Sequence, residues 1–278
     1  MGMRPPITWH GGKARLAPAI IAQFPPHRAY VELFGGSGAV LLAKPRSRIE
    51  TYNDLDGGLV NLFRVLRNED TFELLARALS FTPYSRVEFD LAAEPTDEPV
   101  ERARRFIVRQ RQSHGGHGDH WSFAIADSRS GVSSAAARWL AGIDALPAIH
   151  ERLRGVQIEC DDWCAVLRRY DDPATLVYAD PPYVPDTRVR GEYAHELTER
   201  DHYELVEALL GARGMVALSG YAHELYAPLE AAGWARLDFD VPSHASVVRS
   251  RRVESLWLNP AAQAARGREQ QQLFRSAT

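Results

Sequence analysis

Short apolar runs that alternate with helical segments occur in two separate stretches of this 278-residue chain. Several of these runs end in a glycine turn or an acidic residue, which is typical of buried parallel strands. The predicted strands are 30–34, 49–52, 156–160, 175–179 and 215–219, and the predicted helices are 59–67, 72–79 and 199–210. The alternation predicts an α/β fold around a sheet that is parallel in these strands. Two later runs, 234–241 and 253–258, predict an antiparallel edge.

Between about residues 80 and 155 the alternation stops. This block has a polar linker with two prolines at 92–99, a helix at 101–112, a Gly-, His- and Ser-rich stretch, and helical patterning at 135–153. We interpret it as an inserted, mainly helical domain. The predicted boundaries are 1–70 and 155–260 for the α/β domain, 71–154 for the insertion and 261–278 for a frayed polar tail.

Composition restricts where the protein works. No run of 18 apolar residues exists to span a membrane, and the first residues lack the apolar stretch of a signal peptide. The two cysteines, Cys160 and Cys164, are interpreted as thiols, so we expect a reducing, cytoplasmic setting. The net charge of −3 means that any nucleic-acid contact must come from locally gathered positive charge.

A glycine-rich turn follows the first predicted strand. Gly35, Gly36 and Gly38 allow the backbone to approach a ligand closely, because glycine has no Cβ. Asp54 lies 19 residues after Gly35, at the end of the next strand. In nucleotide-binding α/β folds an acid at about this spacing accepts hydrogen bonds from ribose hydroxyls. The Gly-x-Gly-x-x-Gly spacing of dinucleotide sites is absent, so the pair predicts a different ribose-bearing ligand, although a tight turn alone is the alternative.

Asp180-Pro181-Pro182-Tyr183 follows the predicted strand 175–179 and is the most informative motif. Consecutive prolines fix φ and hold the chain extended, so Asp180 and the Pro182 carbonyl can act as two fixed acceptors. The aromatic ring of Tyr183 can lie against a planar base. Two acceptors beside a stacking face favour binding of an exocyclic amino group such as N6 of adenine. The structural alternative is a plain turn with Tyr183 packed in the core.

These motifs resemble the D12 class of DNA adenine methylases, especially phage-type members, over roughly residues 5 to 260. The tetrapeptide is similar to that family's catalytic motif, and Trp9-His10-Gly11-Gly12-Lys13 to its N-terminal Trp-x-Gly-Gly-Lys motif. The 31–38 segment, Asn53-Asp54 and the 252–257 segment are similar to its cofactor loop, ribose turn and closing strand. The order of cofactor motifs, insertion and catalytic motif is that of the family's α group.

The resemblance implies a Rossmann-like S-adenosylmethionine-dependent methyltransferase sheet with an inserted, mainly helical target-recognition domain. It implies methyl transfer to a flipped-out adenine in double-stranded DNA, with S-adenosyl-L-homocysteine as product, no metal, and a monomer or weak dimer. The implied catalytic residues are Asp180, Pro181, Pro182 and Tyr183. The implied cofactor-binding residues are Trp9, Gly12, Lys13, Glu32, Phe34, Gly35, Gly38, Asp54, Asp162, Trp163 and Asp180. Asp162-Trp163 stands in the place of an Asp-Phe pair that reads the adenine edge, and Trp163 departs from the commoner Phe.

The insertion is predicted to contact DNA. Arg102, Arg105 and Arg109 recur at helical spacing, flanked by Arg104 and Arg111. A solvated helix face is the equal alternative. Arg249, Arg251 and Arg252 form a second basic cluster.

His114, His117 and His120 have two residues between each, but glycines separate them and cysteine or acidic partners are not evident nearby. We therefore expect a loop that reaches into a DNA groove, not a metal site.

Other activities fit parts of the pattern. An RNA adenine methyltransferase would share the motifs, whereas the large insertion favours DNA. Glutamine-methylating enzymes carry Asn in place of Asp180, and cytosine N4 enzymes commonly carry Ser there. A catalytically inactive DNA-binding protein is the non-enzymatic alternative, which the intact motif residues disfavour.

Overall fold

A computed structural model describes residues 3–9, 11–128, 131–184, 196–242 and 251–276. The chain divides into two compact units. The first comprises Met1–Pro18, Gly35–Lys44 and Asp54–Cys160, and the second Ala19–Phe34, Pro45–Asn53 and Asp161–Thr278. The predicted boundaries differ from this division, because residues 35–44 and 54–70 belong to the same unit as the insertion.

The first unit is mainly helical. Its elements are α2 (Ala39–Ala43), α3 (Gly57–Arg67), α4 (Glu69–Ser80), α5 (Arg86–Leu91), α6 (Pro99–Gln112), α7 (Ser134–Asp144), α8 (Leu146–Leu153) and the strand β3 (Val156–Glu159), and α1 (Ala17–Ile21) begins here. Polar caps start several helices: Asp56 accepts from the backbone N–H groups at the start of α3, and Asn68 does so for α4. The predicted helical stretch 135–153 is two helices, because Pro147 occupies the first turn of α8.

The second unit is built on a mixed sheet. Its strands are β1 (Ala29–Glu32), β2 (Ile49–Asn53), β4 (Thr175–Ala179), β5 (Met215–Gly220), β6 (Ala235–Pro242) and β7 (Arg251–Leu258). In the order β2-β1-β4-β5-β7-β6, the first four strands are parallel and the last two pair antiparallel. The predicted α/β fold and antiparallel edge are confirmed.

The helices of the second unit are α9 (Trp163–Tyr170), α10 (Glu199–Leu210), α11 (Ala227–Ala231) and α12 (Pro260–Ser276). The prediction of a frayed tail is wrong, since α12 occupies 260–276. Asn259 explains this: its Oδ1 accepts from the N–H groups of Val216 and Ala262, and its amide donates to the Gly214 carbonyl. A buried cap therefore starts the helix where composition alone indicated a polar end.

The parallel register determines where the strands of the second unit end. Glu32 lies opposite Tyr178, and Ala179 lies opposite Leu218, so β1, β4 and β5 reach the same edge of the sheet. Residues that follow these strands are therefore brought together. Among the described residues, no helix is both long and apolar enough to cross a lipid bilayer.

Candidate active site

In the first unit, the carboxylate of Asp54 binds the glycine turn. Its Oδ2 accepts from the N–H of Gly36 at 2.7 Å, and its Oδ1 accepts from the N–H of Asp56 at 2.8 Å. Gly36 and Gly38 have φ of +49° and +67°, which side chains disfavour. The structure thus brings together the predicted glycine turn and acid. A carboxylate has about four acceptor positions, so an acid that shapes a turn is also of the type that accepts hydrogen bonds from ribose hydroxyls.

Trp9 lies against the same turn. A Cβ at Gly36 would be 3.0 Å from Trp9 Nε1, so the indole occupies the space that a side chain would need. The N–H of Gly12 donates to the Trp9 carbonyl at 3.1 Å, and the buried Lys13 ammonium donates to the Gly11 carbonyl at 3.1 Å. The predicted N-terminal motif and cofactor turn therefore form one cradle, which fits a ribose-bearing ligand that approaches the backbone closely.

In the second unit, Phe34 and Trp163 form an apolar pair. Their ring centroids lie 6.4 Å apart, with Phe34 half-buried and Trp163 buried. Asp162 is exposed and caps α9, since its Oδ1 accepts from the N–H groups of Cys164 and Ala165. Glu32 is buried and accepts from the Tyr30 hydroxyl at 3.2 Å. The rings offer an apolar wall, whereas the Asp162 carboxylate already has a structural role as a helix cap.

Asn53 has a role that the sequence reasoning missed. Its amide donates to the carbonyls of Leu33 and Asp161, at 2.9 and 3.1 Å, and its Oδ1 accepts from the Asp161 N–H at 3.0 Å. One buried side chain thus fixes the ends of the segments that carry Phe34 and Trp163. The sequence signals were its place at the end of a strand, directly before Asp54, and the similarity of Asn53-Asp54 to the family's ribose turn.

The Asp180-Pro181-Pro182-Tyr183 segment begins directly after β4, as predicted. Asp180 and Pro182 are half-buried, whereas Tyr183 is only 6 % exposed. Beyond the last paired residues, the register of β4, β5 and β7 carries Tyr183 toward Tyr221 and Glu254. The Tyr183 and Tyr221 rings lie 4.4 Å apart. The Tyr183 hydroxyl donates to the buried carboxylate of Glu254.

The charge of Asp180 acts on the phenols of three tyrosines. Burial raises the pKa of the Tyr183 phenol well above its ordinary value, and the charges of Asp180 and Glu254 raise it further. The pKa values of Tyr178 and Tyr226 are also raised, first by burial and then by Asp180. These phenols therefore stay neutral at physiological pH, and Asp180 is the anionic acceptor among them.

Glu254 and Tyr221 are site residues that the sequence reasoning did not select. Glu254 lay within the segment that resembles the closing strand, but received no role. An acid inside an otherwise apolar strand was the available signal, because a buried carboxylate requires donors.

Most arginines of α6, which we predicted to contact DNA, form contacts within the first unit. Arg104 pairs with Glu101 and Glu88, and Arg105 pairs with Glu101. Hydrogen bonds from Arg104 lower the Glu101 pKa to about 2. Arg109 lies over the Phe89 ring at 4.0 Å, and Arg111 donates to the carbonyls of Pro5, Pro6 and Arg138. The Arg111 guanidinium thus holds neighbouring backbone, and its burial lowers its pKa to about 10.

Arg102 differs from these arginines, because its side chain is exposed and no ion pair or hydrogen bond joins its guanidinium to another described residue. Arg249 lies outside the described residues, as do the side chains of Arg251 and Arg252.

The loop that carries His114, His117 and His120, here the histidine loop, is closed by backbone pairing. Ser113 and Trp121 form an antiparallel bridge, and the N–H of His114 donates to the His120 carbonyl at 2.9 Å. Gly115, Gly116 and Gly118 all have positive φ, and they lie in the turn. Within the described ranges, no group of three or more His, Cys, Asp or Glu side chains could hold a metal ion.

Comparison with known proteins decides the family. The model of the D12 class N6 adenine-specific DNA methyltransferases matches residues 9–110 and 131–214. The chain belongs to this family. It is therefore an S-adenosylmethionine-dependent enzyme that methylates adenine in DNA. The matched residues include the Trp9 cradle, the Asp54 turn and the Asp180 segment, whereas most of the histidine loop falls between the two matched ranges.

Curated relatives agree with this assignment. The Type II methyltransferase M.MjaIII of Methanocaldococcus jannaschii is 24% identical over 220 residues, which cover 66% of this chain and 71% of that protein. The DNA adenine methylase of Escherichia coli K12 is 25% identical over 188 residues, or 64% of each chain. That of Salmonella typhi is 25% identical over 229 residues, which cover 77% of this chain and 80% of the relative.

Solved structures of low similarity also match. A putative RNA methyltransferase from Pyrococcus horikoshii has a TM-score of 0.37 and 8% identity, covering 87% of this chain and 81% of that one. A putative methyltransferase from Streptococcus mutans in complex with SAH has a TM-score of 0.38 and 6% identity, covering 89% and 98%.

The hydrogen bond between Tyr183 and Glu254 predicts a measurable effect of Tyr183→Phe. This change leaves the buried Glu254 carboxylate with one donor fewer, so we expect the free energy of unfolding to fall by about 1–3 kcal/mol. Urea denaturation measures it. Tyr203→Phe is the matched control, because Tyr203 is 52% exposed, and its change should stay within about 0.5 kcal/mol. Equal decreases in the two variants would contradict the assigned hydrogen bond.

Proposed function

We propose that this family member methylates N6 of specific adenines in double-stranded DNA, each adenine being flipped out of the duplex. The observation that carries the proposal is a half-buried carboxylate, Asp180, fixed by two prolines at the end of a central strand and surrounded by neutral phenols. A base inside a duplex cannot present N6 to such a recessed group, so the base must leave the stack.

Asp180 and the Pro182 carbonyl are proposed to accept one N–H each from the target amine. These two bonds orient the nitrogen lone pair out of the ring plane and fix its direction of attack. Positioning of this kind supplies much of the rate, because the reacting atoms are held close without further loss of entropy. Neither a metal nor a covalent enzyme intermediate is needed in this scheme.

The proposed cofactor residues are those that the family's motifs imply; the cradle lies within the first unit and the apolar pair within the second. S-adenosylmethionine supplies an electrophilic methyl group on its sulfonium. We assign its ribose to Asp54, close backbone approach to Gly35–Gly38, and apolar contact to Phe34 and Trp163. The positive φ of Gly36 and Gly38 supports this assignment, since side chains rarely adopt it and a Cβ at these positions would meet the rings of Trp9 and Phe63. Trp9, Gly12, Lys13, Glu32 and Asp162 complete the proposed set.

Tyr183 is proposed to provide the stacking surface for the base. Its hydroxyl is held by Glu254, which prevents the ring from turning. Because only 6 % of the residue is exposed, the base must reach the surface that Tyr221 now covers. Stacking on an aromatic ring contributes about 1–3 kcal/mol per base, which offsets part of the stacking energy that flipping removes.

We also propose a cytoplasmic protein that acts as a monomer or weak dimer. The DNA substrate of the family and two cysteines that form no disulfide are compatible with that setting.

The role of Asp180 predicts the effect of Asp180→Asn. The variant keeps the volume but replaces an anionic acceptor with an amide, so we expect single-turnover methyl transfer to fall by about a hundredfold or more. DNA affinity should change little, because the phosphate contacts remain. Asp172→Asn is the matched control, since Asp172 is exposed at the other end of β4, and it should keep the wild-type rate. Near-normal transfer by Asp180→Asn would contradict the mechanism.

Because its guanidinium is exposed, we expect Arg102 to mark the face of α6 that contacts DNA phosphates. Arg102→Glu should weaken binding of duplex DNA and lower the slope of log K against log salt by about 0.9 for each phosphate that the variant no longer neutralises. Fluorescence anisotropy at several salt concentrations measures both. Arg77→Glu, also an exposed arginine of the first unit, is the control that should leave the slope unchanged. An identical response of the two variants would remove Arg102 from the interface.

A further inference from the structure

A groove of about 510 Å³ lies at the amino ends of the parallel strands in the second unit. Arg28 precedes β1, Arg48 precedes β2, Ala174 precedes β4 and Met215 begins β5, while α12 contributes Ala265 and Arg268. Asp180 follows the opposite end of β4. Five strand residues at about 3.3 Å each separate the two ends by about 17 Å. The groove is therefore distinct from the proposed catalytic segment.

The floor of the groove is apolar, and two prolines give it flat, rigid surfaces. Its apolar members are Pro26, Pro173, Ala174, Met215 and Ala265. The segment that carries Pro26 is held in place by His27, whose Nδ1 contacts the Pro25 carbonyl at 2.7 Å and whose Nε2 contacts Ser47 Oγ at 2.8 Å. With both ring nitrogens engaged, His27 keeps this part of the groove in one conformation. A preorganised surface loses less entropy when a ligand binds.

Positive charge is concentrated at the rim. The side chains of Arg28, Arg48 and Arg268 are exposed, and no described residue forms an ion pair or hydrogen bond with their guanidinium groups. Other arginines of this unit are paired, as Arg169 is with Asp161 and Arg236 with Asp238. None of the nine residues that line the groove is acidic.

Three unpaired guanidiniums around one groove are an unexpected concentration in a chain of net charge −3. Arginine binds phosphate through paired, charge-assisted hydrogen bonds, and its planar group suits several phosphate oxygens at once. An apolar floor beside such a rim matches a ligand with a flat ring at one end and phosphates at the other. The volume lies within the range of small-molecule sites.

We propose that this groove binds a nucleoside phosphate, with the base against Pro26 and Pro173 and the phosphates on Arg28, Arg48 and Arg268. The site is separate from methyl transfer and does not depend on the proposed roles of Asp180 or Arg102.

Isothermal titration with ATP tests the site on the full chain. Saturating S-adenosylhomocysteine is included so that binding at the cofactor site does not contribute. We expect ATP to bind under these conditions, and adenosine and inorganic phosphate to bind more weakly, because each offers half of the contacts. The double variant Arg28→Ala/Arg48→Ala should weaken ATP binding by about tenfold or more.

Arg168→Ala is the matched control, because Arg168 is an exposed arginine of the same unit outside the groove, and it should bind ATP as the wild type does. Unchanged circular dichroism would show that the double variant is folded, and Arg268→Ala provides an independent test. Wild-type affinity in both groove variants, or no ATP binding by the wild type, would overturn the proposal. A second result would also overturn it: the wild type does not bind ATP, and the groove variants show a lowered salt dependence of DNA binding. That result would assign the arginines of the rim to DNA phosphates.

Discussion

Parallel pairing of β1, β4 and β5 is the constraint on which the proposed catalytic segment depends, because it ends three strands at one edge of the sheet. Asp180 follows the central one of these strands and needs no long loop to reach its position. The antiparallel addition of β7 then brings Glu254 beside Tyr183. A rigid scaffold thus places an anionic acceptor, a buried phenol and a second carboxylate with little freedom to move. Such placement by strands is more accurate than placement by loops.

Consecutive residues at the end of β2 have different roles. Asn53 fixes the backbone that carries Phe34 and the residue before Asp162, whereas Asp54 binds the N–H of Gly36 and shapes the glycine turn. Both sets of contacts are made within the chain itself and hold the turn in one conformation. A preformed turn reduces the entropy that a cofactor must overcome on binding. The structural role of Asp54 and its proposed ribose contacts are compatible, because its oxygens accept more than two bonds.

Local signals predicted much of this molecule. The strand Thr175–Ala179 and the helix Glu199–Leu210 have the predicted bounds, since the pattern of apolar residues within each segment is readable locally. Contacts between distant segments were not readable. The hydrogen bond between Tyr183 and Glu254 depends on the register of the strands. The hydrogen bonds of Arg111 to the carbonyls of Pro5 and Pro6 join residues more than a hundred positions apart. The cap that Asn259 provides for α12 likewise depends on its contacts with Gly214 and Val216.

The activity that most needs a direct test is methyl transfer to N6 of adenine in duplex DNA. The most direct measurement incubates the purified protein with methyl-labelled S-adenosylmethionine and unmethylated duplex DNA, then digests the DNA and identifies the labelled nucleoside. We expect label in N6-methyldeoxyadenosine at defined sequences. Label in another nucleoside, in RNA offered in parallel, or in no nucleic acid at all would contradict it.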